Sequence, residues 1–419
     1  MHLRTDLPPA LPSDLKLTNR FQVIDSFLTH GVCSANDISA EIGLSRQTVM
    51  KAIQFFLQTD LIVSIGKGTS TTVGGKRPEL YALSPNKYFL CISLWPLDMR
   101  LHLYTIGGNT VDRIALKTSL PNDPKVAIAN AGELARNLLE KNNIALTNIC
   151  AVSLSTAGTI DYKSSRLKFS SQSPTWGSDI PLADYLKSYF APNTLIFLEN
   201  AGKMAARPFL QDPDLSEKRV LTIFSCWGLS SCLIEKSHIL SGKNSLIGEI
   251  GHMVIDPCDD ERCGCGNNGC LERLVSAQRI HTMINGERDR YPESVLFSDP
   301  AEKITIPALF SASEREDPLA KKVVDDLAST FAAALKNITL IFDPDLIVFQ
   351  GDYANADAWF DHRLRTHLQG FQYFPEEGPF DILYDRRPLD EMDSLGSYIA
   401  LVQNYFSTPE HYMDKRMPE

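Results

Sequence analysis

The stretch EIGHMVIDPCDDERCGCGNNGCLE, Glu249 to Glu272, sets one histidine upstream of three closely spaced cysteines. His252, Cys263, Cys265 and Cys270 supply the imidazole and thiolate ligands that zinc prefers. Gly264, Gly266 and Gly269 permit the sharp turns that point neighbouring sulfurs at one ion. Four protein ligands close a tetrahedral site and leave no position for an activated water, so the expected Zn2+ is structural rather than catalytic. Cys258 can in principle replace a ligand, but the tighter C-x-C-x4-C spacing makes it a bystander. The chain holds nine cysteines, an odd number. Cys33, Cys91, Cys150, Cys226 and Cys232 each stand alone in apolar runs, where free cysteine behaves as a small hydrophobe. That usage fits a reducing compartment with a metal site better than a disulfide framework.

The segment upstream has different chemistry. From Asn19 to His30 the apolar residues Phe21, Ile24, Phe27 and Leu28 recur at helical spacing, and Gly31 follows as a stop. Ser34 caps a second helix carrying Ile38 and Ile42; Gly43 turns the chain; Ser45 caps a third helix with Val49, Ile53, Phe56 and Leu57 inward. Ser45, Arg46, Gln47, Thr48 and Lys51 then lie at or near the third helix's N-terminal end, the part that enters a major groove in helix-turn-helix proteins. Two β-rich runs within Leu61 to Leu83 flank a Gly/Ser/Thr-rich tip and carry Lys67, Lys76 and Arg77. This is the pattern of a basic wing that approaches phosphates or a minor groove. Residues 19–87 therefore predict a winged helix-turn-helix that binds double-stranded operator DNA, preceded by a flexible arm over 1–18.

The chain has 419 residues, 43% hydrophobic and 22% charged, with a formal net charge of −10. That length exceeds what one core usually supports and predicts more than one domain. The acidity lies beyond Lys87, and the preceding segment is mildly positive, so the net charge does not exclude a nucleic-acid partner. Prolines and acids occupy the start where a signal peptide would be apolar, and no run is long enough to span a bilayer. The expectation is a cytoplasmic protein without membrane insertion. Strand-like runs such as YFLCISL, ICAVSLS and VLTIFSC alternate with helices at Val126–Asn142 and Asp317–Ile341, which predicts an α/β fold.

The pattern E-x-G-H followed by C-x-C-G-x-x-G-C-x-E resembles the signature of the ROK family of repressors, open reading frames and sugar kinases. GSDIPLADYL, Gly177 to Leu186, is similar to that family's sugar-loop neighbourhood. LSTAGTID stands in place of its GIPG-type turn, and FDPDLIVFQG near its nucleotide-motif strand. The resemblance covers Tyr88 to Phe406, and a preceding winged helix is the arrangement of the family's regulators. It implies two actin/hexokinase-like lobes, over 88–199 and 200–394, the first completed by a helix over 395–406, with a polar tail over 407–419. It also implies a sugar in the cleft between the lobes, with Asn200, Glu249, His252 and Glu272 as ligand contacts and His252 also on zinc.

The family's kinase chemistry is missing. Its N-D-A-N motif, whose Asp takes the proton from the sugar hydroxyl, reads Asn200, Ala201, Gly202, Lys203, and alanine accepts no proton. Its D-x-G-G-T phosphate loop reads Ser93, Leu94, Trp95, Pro96, Leu97, which lacks the close backbone approach of a phosphate cradle. The expectation is therefore no enzyme but a transcriptional regulator of carbohydrate metabolism, a repressor acting as a homodimer or homotetramer, that senses a sugar or sugar derivative. Two alternatives stay open: a sugar kinase with an appended helical module, and a regulator controlled by a protein partner with a vestigial cleft.

Overall fold

The computed structural model describes residues 12–68, 77–298, 304–374 and 378–408. The chain divides into two compact units: one comprises residues 1–156, 181–199 and 394–419, the other 157–180 and 200–393. No helix among the described residues is long and apolar enough to cross a membrane.

The first unit begins with a winged helix-turn-helix head: α1 (Pro12–His30), α2 (Ala35–Ile42) and α3 (Arg46–Gln58). A sheet of β1 (Val32–Ser34), β2 (Ile62–Lys67) and β3 (Glu79–Leu83) follows the order β1-β3-β2. Ser34 and Asp37 form a reciprocal capping box at the start of α2, and Gly43 ends that helix at φ 71°, a left-handed conformation that a Cβ would penalise. Two features differ from the sequence reading. Helix α1 starts at Pro12 rather than Asn19, so residues 12–18 of the expected arm are helical; a proline in the first turn loses no helical hydrogen bond. Strand β1 was not foreseen, because its partners Leu80 to Ala82 are remote in sequence and nothing local marks three residues as a strand.

The rest of the first unit is a five-stranded sheet. Strands Tyr88–Trp95, Asp98–Thr105 and Thr110–Lys117 form an antiparallel meander, and Ile149–Thr156 runs parallel to the first, with Leu195–Asn200 at the edge. Head and sheet share one apolar cluster. Phe21, Phe27, Ile53 and Phe56 of the head belong to the same buried core as Phe89 of the sheet and Tyr398, Tyr405 and Phe406 of the terminal helix Leu389–Ser407. The Phe89 ring lies 5.5 Å from that of Tyr405 and 6.1 Å from that of Tyr398.

The second unit holds a sheet in the order His238–Ile239, Leu229–Glu235, Arg219–Ser225, Leu346–Gly351, Asp381–Asp385, with the last three parallel. Its core is the helix Pro318–Phe342, capped by Asp317, whose buried stripe Leu319, Val323, Leu327, Phe331 and Leu335 repeats every fourth residue, the period of one helix face. Phe331 packs edge-on against Phe349 and Tyr353 at 5.4 and 4.7 Å between ring centres. The hairpin Thr159–Asp161 and Arg166–Phe169 belongs to this unit, although the sequence reading put 157–180 in the first lobe. Non-local hydrogen bonds decide its allegiance: Thr159 to Glu249, Lys168 to Asn244 and Gln172 to Glu272.

Two outcomes follow from this packing. Phe89→Ala should cost about 3–5 kcal/mol in chemical denaturation, the usual loss for a buried phenylalanine. Amide protection should fall together in α3 and in Tyr88–Trp95 if the core is continuous, and in the strand alone if it is not. Asp352, beyond the strand end at Gly351, has its carboxyl pushed up by burial to about 6. The native state therefore holds this proton more tightly than the unfolded chain, so the group costs stability increasingly as pH rises from about 4 through about 6. Asp352→Asn should stabilise by about 2–3 kcal/mol near pH 8 and by nothing near pH 3.5; an equal gain at both would exclude this carboxyl as the cause.

Candidate functional site

The loop after the short helical turn Ile250–His252 is folded back on itself by three small pairings. Val254 bridges Cys270, Arg262 bridges Asn268, and the Cys263 N–H donates to the Asn267 carbonyl at 2.8 Å. Gly269 sits at φ +65° with its α-carbon so close to Asp256 that a Cβ would stand 1.7 Å from the Asp256 carbonyl oxygen, so no side chain fits there. Ion pairs of Arg273 with Glu261 and of Arg279 with Asp259 tie the outer loop to the helical segment that follows.

This folding gathers His252, Cys263, Cys265 and Cys270, whose ligand atoms all lie within 4.8 Å of one another. Cys263 Sγ is 3.5 Å from His252 Nδ1, and Cys265 Sγ is 3.6 Å from Cys270 Sγ. Sulfurs bound to one zinc at about 2.3 Å stand at nearly that separation, so the donor set fits a tetrahedral divalent cation. Burial, reinforced by the neighbouring sulfurs, pushes the Cys263 and Cys270 thiols up. Thiols held that way lose their protons only to a compensating cation, which couples metal binding to proton release. Cys258 is exposed and outside the group.

Polar side chains flank the cluster. The Glu272 carboxylate accepts from the Leu229 N–H at 2.9 Å, from Gln172 Nε2 at 3.2 Å and from Ser171 Oγ at 3.4 Å. Burial raises its pKa, opposed by the Leu229 N–H. A Cβ on Gly228 would lie 2.7 Å from both Glu272 and Gln172, so the approach depends on glycine. Glu249 Oε1 accepts from Thr159 Oγ1 at 2.9 Å. Asn200 caps the helix Ala201–Ala206: its Oδ1 accepts from the Gly202 and Lys203 amides, and its Nδ2 donates to the Gly158 carbonyl. Its amide therefore holds local structure, and Ala201 beside it is buried. A cavity of about 320 Å³ opens beside Glu272, lined also by Gln172, Trp227, Ser225, Ser276 and Tyr353. Carboxylate and amide acceptors with an indole face suit a polyhydroxylated ring. Thr159, Ser171, Gln172 and Trp227 were given no role by the sequence reading, because their partners lie far along the chain.

In the head, Arg46, Gln47 and Lys51 on α3, Lys67 at the end of β2 and Arg77 two residues before β3 are exposed. Ser45 caps α3, its Oγ accepting from the Thr48 N–H at 3.2 Å, and Arg46 Nε donates to Asn36 Oδ1 at 2.9 Å. Ser45 and Thr48 thus shape the helix start, while Arg46, oriented by Asn36, and Gln47 extend from it. Lys76 lies outside the described residues.

The xylose repressor of Caldicellulosiruptor bescii is 21% identical over 406 residues, 95% of this chain and 98% of that protein. A glucokinase of Halalkalibacterium halodurans is 22% identical over 289 residues, 68% of this chain and 86% of that protein. A solved ROK family transcriptional regulator, a homolog of the Escherichia coli MLC protein, superposes with a TM-score of 0.73 at 19% identity, covering 94% of this chain and 99% of that one. The profile described as ROK family matches residues 112–399, well over half of the sequence. The chain is a member of the ROK family, with a winged helix-turn-helix head ahead of its ROK domain.

Proposed function

We propose that this protein is a transcriptional repressor of carbohydrate metabolism whose ROK domain senses a sugar or sugar derivative without phosphorylating it. The observation that carries this reading is the union, in one chain, of a winged helix-turn-helix head with a ROK domain in which the buried Ala201 follows Asn200, where the motif of the family's kinases has its Asp. Alignment with a xylose repressor along 95% of the chain supports it. Two features oppose phosphoryl transfer. No group at Ala201 takes a proton from a sugar hydroxyl. The turn that stands for the phosphate loop is closed by Trp95, with the Arg100 guanidinium 4.8 Å over its ring and bonded to Asp98.

On this reading two heads of a homodimer contact the half-sites of a palindromic operator, α3 entering the major groove and the wing following the backbone. Zinc is structural: His252, Cys263, Cys265 and Cys270 would hold it, and the ion would fix the loop between Glu249 and Glu272. His252 Nδ1 lies beside the Cys263 sulfur, and a metal held there would fix the ring's tautomer and leave Nε2 as the nitrogen available to a ligand hydroxyl. A ligand that empties the operator must prefer the released state by about 5.5 kcal/mol for a 99:1 to 1:99 swing.

Three outcomes test the reading. A zinc chelator, or Cys270→Ser, should lower the melting temperature and release one zinc per chain by elemental analysis; a chain that never held zinc excludes the metal site. Arg46→Ala and Gln47→Ala should each weaken binding to the protein's own upstream DNA by about 1–3 kcal/mol while leaving the melting temperature unchanged. Incubation with ATP and a hexose panel should yield no sugar phosphate, and turnover of any hexose would establish a kinase instead.

A further inference from the structure

Lys203 is 4% exposed, yet among the described residues no carboxylate pairs with it. Its Nζ donates to the Tyr162 hydroxyl at 2.5 Å and lies 4.9 Å from the centre of the same ring. One hydroxyl as hydrogen-bond partner leaves an ammonium with two further donors to satisfy. An ammonium withdrawn from water ordinarily has an anion beside it, because its desolvation is offset only by opposite charge and full hydrogen bonding. The ROK kinase motif N-D-A-N ends, at this position, in a neutral amide. This chain replaces a neutral hydrogen-bonding group with a cation and removes the neighbouring acid in the same turn, at Ala201.

The lysine also stands in the right company. Its Cε is 3.6 Å from where a Cβ on Gly248 would be, and the next residue is Glu249. Glu249 in turn accepts from Thr159, three residues before Tyr162 on the same hairpin. Asn200, three residues before Lys203, donates to the Gly158 carbonyl at the start of that hairpin. Lys203 is thus built into the two segments that hold the candidate ligand residues Asn200 and Glu249, all within the second unit.

We infer that Lys203 is the anion-recognition residue of the effector site, and that the effector is a sugar carrying a negative charge, as a phosphate ester or a sugar carboxylate. This rests on the sensing function proposed above. The division of labour is chemical: Glu249 and Glu272 accept hydrogen bonds from hydroxyls and repel an anionic group, and the ammonium takes that group. A charge-assisted hydrogen bond formed on a pre-placed, already desolvated cation favours the anionic sugar over its neutral parent by about tenfold or more.

The experiment is isothermal titration calorimetry on the full-length, zinc-loaded protein. Xylose, glucose, mannose and N-acetylglucosamine serve as neutral probes, each beside its phosphate ester and its sugar acid, with inorganic phosphate as a control. At least one charged form should bind about tenfold more tightly than its neutral parent, and comparison of esters with acids identifies which anion the site takes. Lys203→Gln should bring the ratio of charged to neutral affinity down to about one, and Lys203→Arg should keep part of the preference. A wild-type protein that binds neutral sugars as tightly as their charged forms overturns the inference and leaves the sensing function standing. Binding by no sugar of either kind overturns both. Should Lys203→Gln fail to fold, the wild-type ratio of charged to neutral affinity decides alone.

Discussion

Three thiols and one imidazole with ligand atoms confined within 4.8 Å cannot all be satisfied by one another. Buried thiols are poor hydrogen-bond donors, and as thiolates they repel, and a divalent cation is the partner that this donor set fits. The loop around them is folded so that the four ligand atoms meet. The loop between His252 and Cys270 has no extended strand or full helix, and its internal pairings are single bridges. A cation held by His252, Cys263, Cys265 and Cys270 would give it the fixed shape that secondary structure does not. Glu249 and Glu272 enter and leave this loop, so the placement of both carboxylates is subordinate to it.

Legibility of the sequence followed the range of the interaction concerned. The caps Ser34 and Ser45 were readable because their bonds reach only to Asp37 and Thr48, and the metal ligands because three of four lie within eight residues of one another. The long helix Pro318–Phe342 was readable from its own period. The strand Val32–Ser34 was not, since its existence depends on Leu80 to Ala82. The membership of the hairpin after Ala157 was equally hidden, as it depends on partners near residues 244–272. Resemblance to the family supplied the ligand candidates Asn200, Glu249, His252 and Glu272, yet it could not show that Asn200 has its amide engaged in capping, or that Thr159 and Gln172 hold the two glutamates. Lys203 stood in the motif that was read, and only its burial gave it meaning.

The divergence from a kinase is distributed, and each piece has a physical effect of its own. Alanine at 201 removes a proton acceptor without opening space, since Ala201 is buried and a Cβ on the adjoining Gly202 would stand 2.2 Å from Ser230 Oγ. The tryptophan, arginine and aspartate around the first hairpin form a closed set of contacts, which leaves no loop of free amides. These changes reshape the polar surface of the domain while its sheets and helical core remain those of a ROK protein. One fold thus accommodates changes at positions that carry chemistry in the family's kinases, since function lives in the site and not in the scaffold.

The apolar cluster common to the head and the first sheet has a consequence for the protein's evolution and engineering. Regulators are often pictured as interchangeable parts joined by string, in which an operator-reading piece can be exchanged for another at will. Here the seam is itself a hydrophobic interior, with Phe56 and Ile53 on one side and Phe89, Tyr405 and Phe406 on the other. A foreign head would have to bring a complementary face, whereas exposed residues of α3 such as Arg46 and Gln47 can change without disturbing that interior. Recombination at this boundary is constrained by packing, and variation is left to substitutions on the exposed face of one helix.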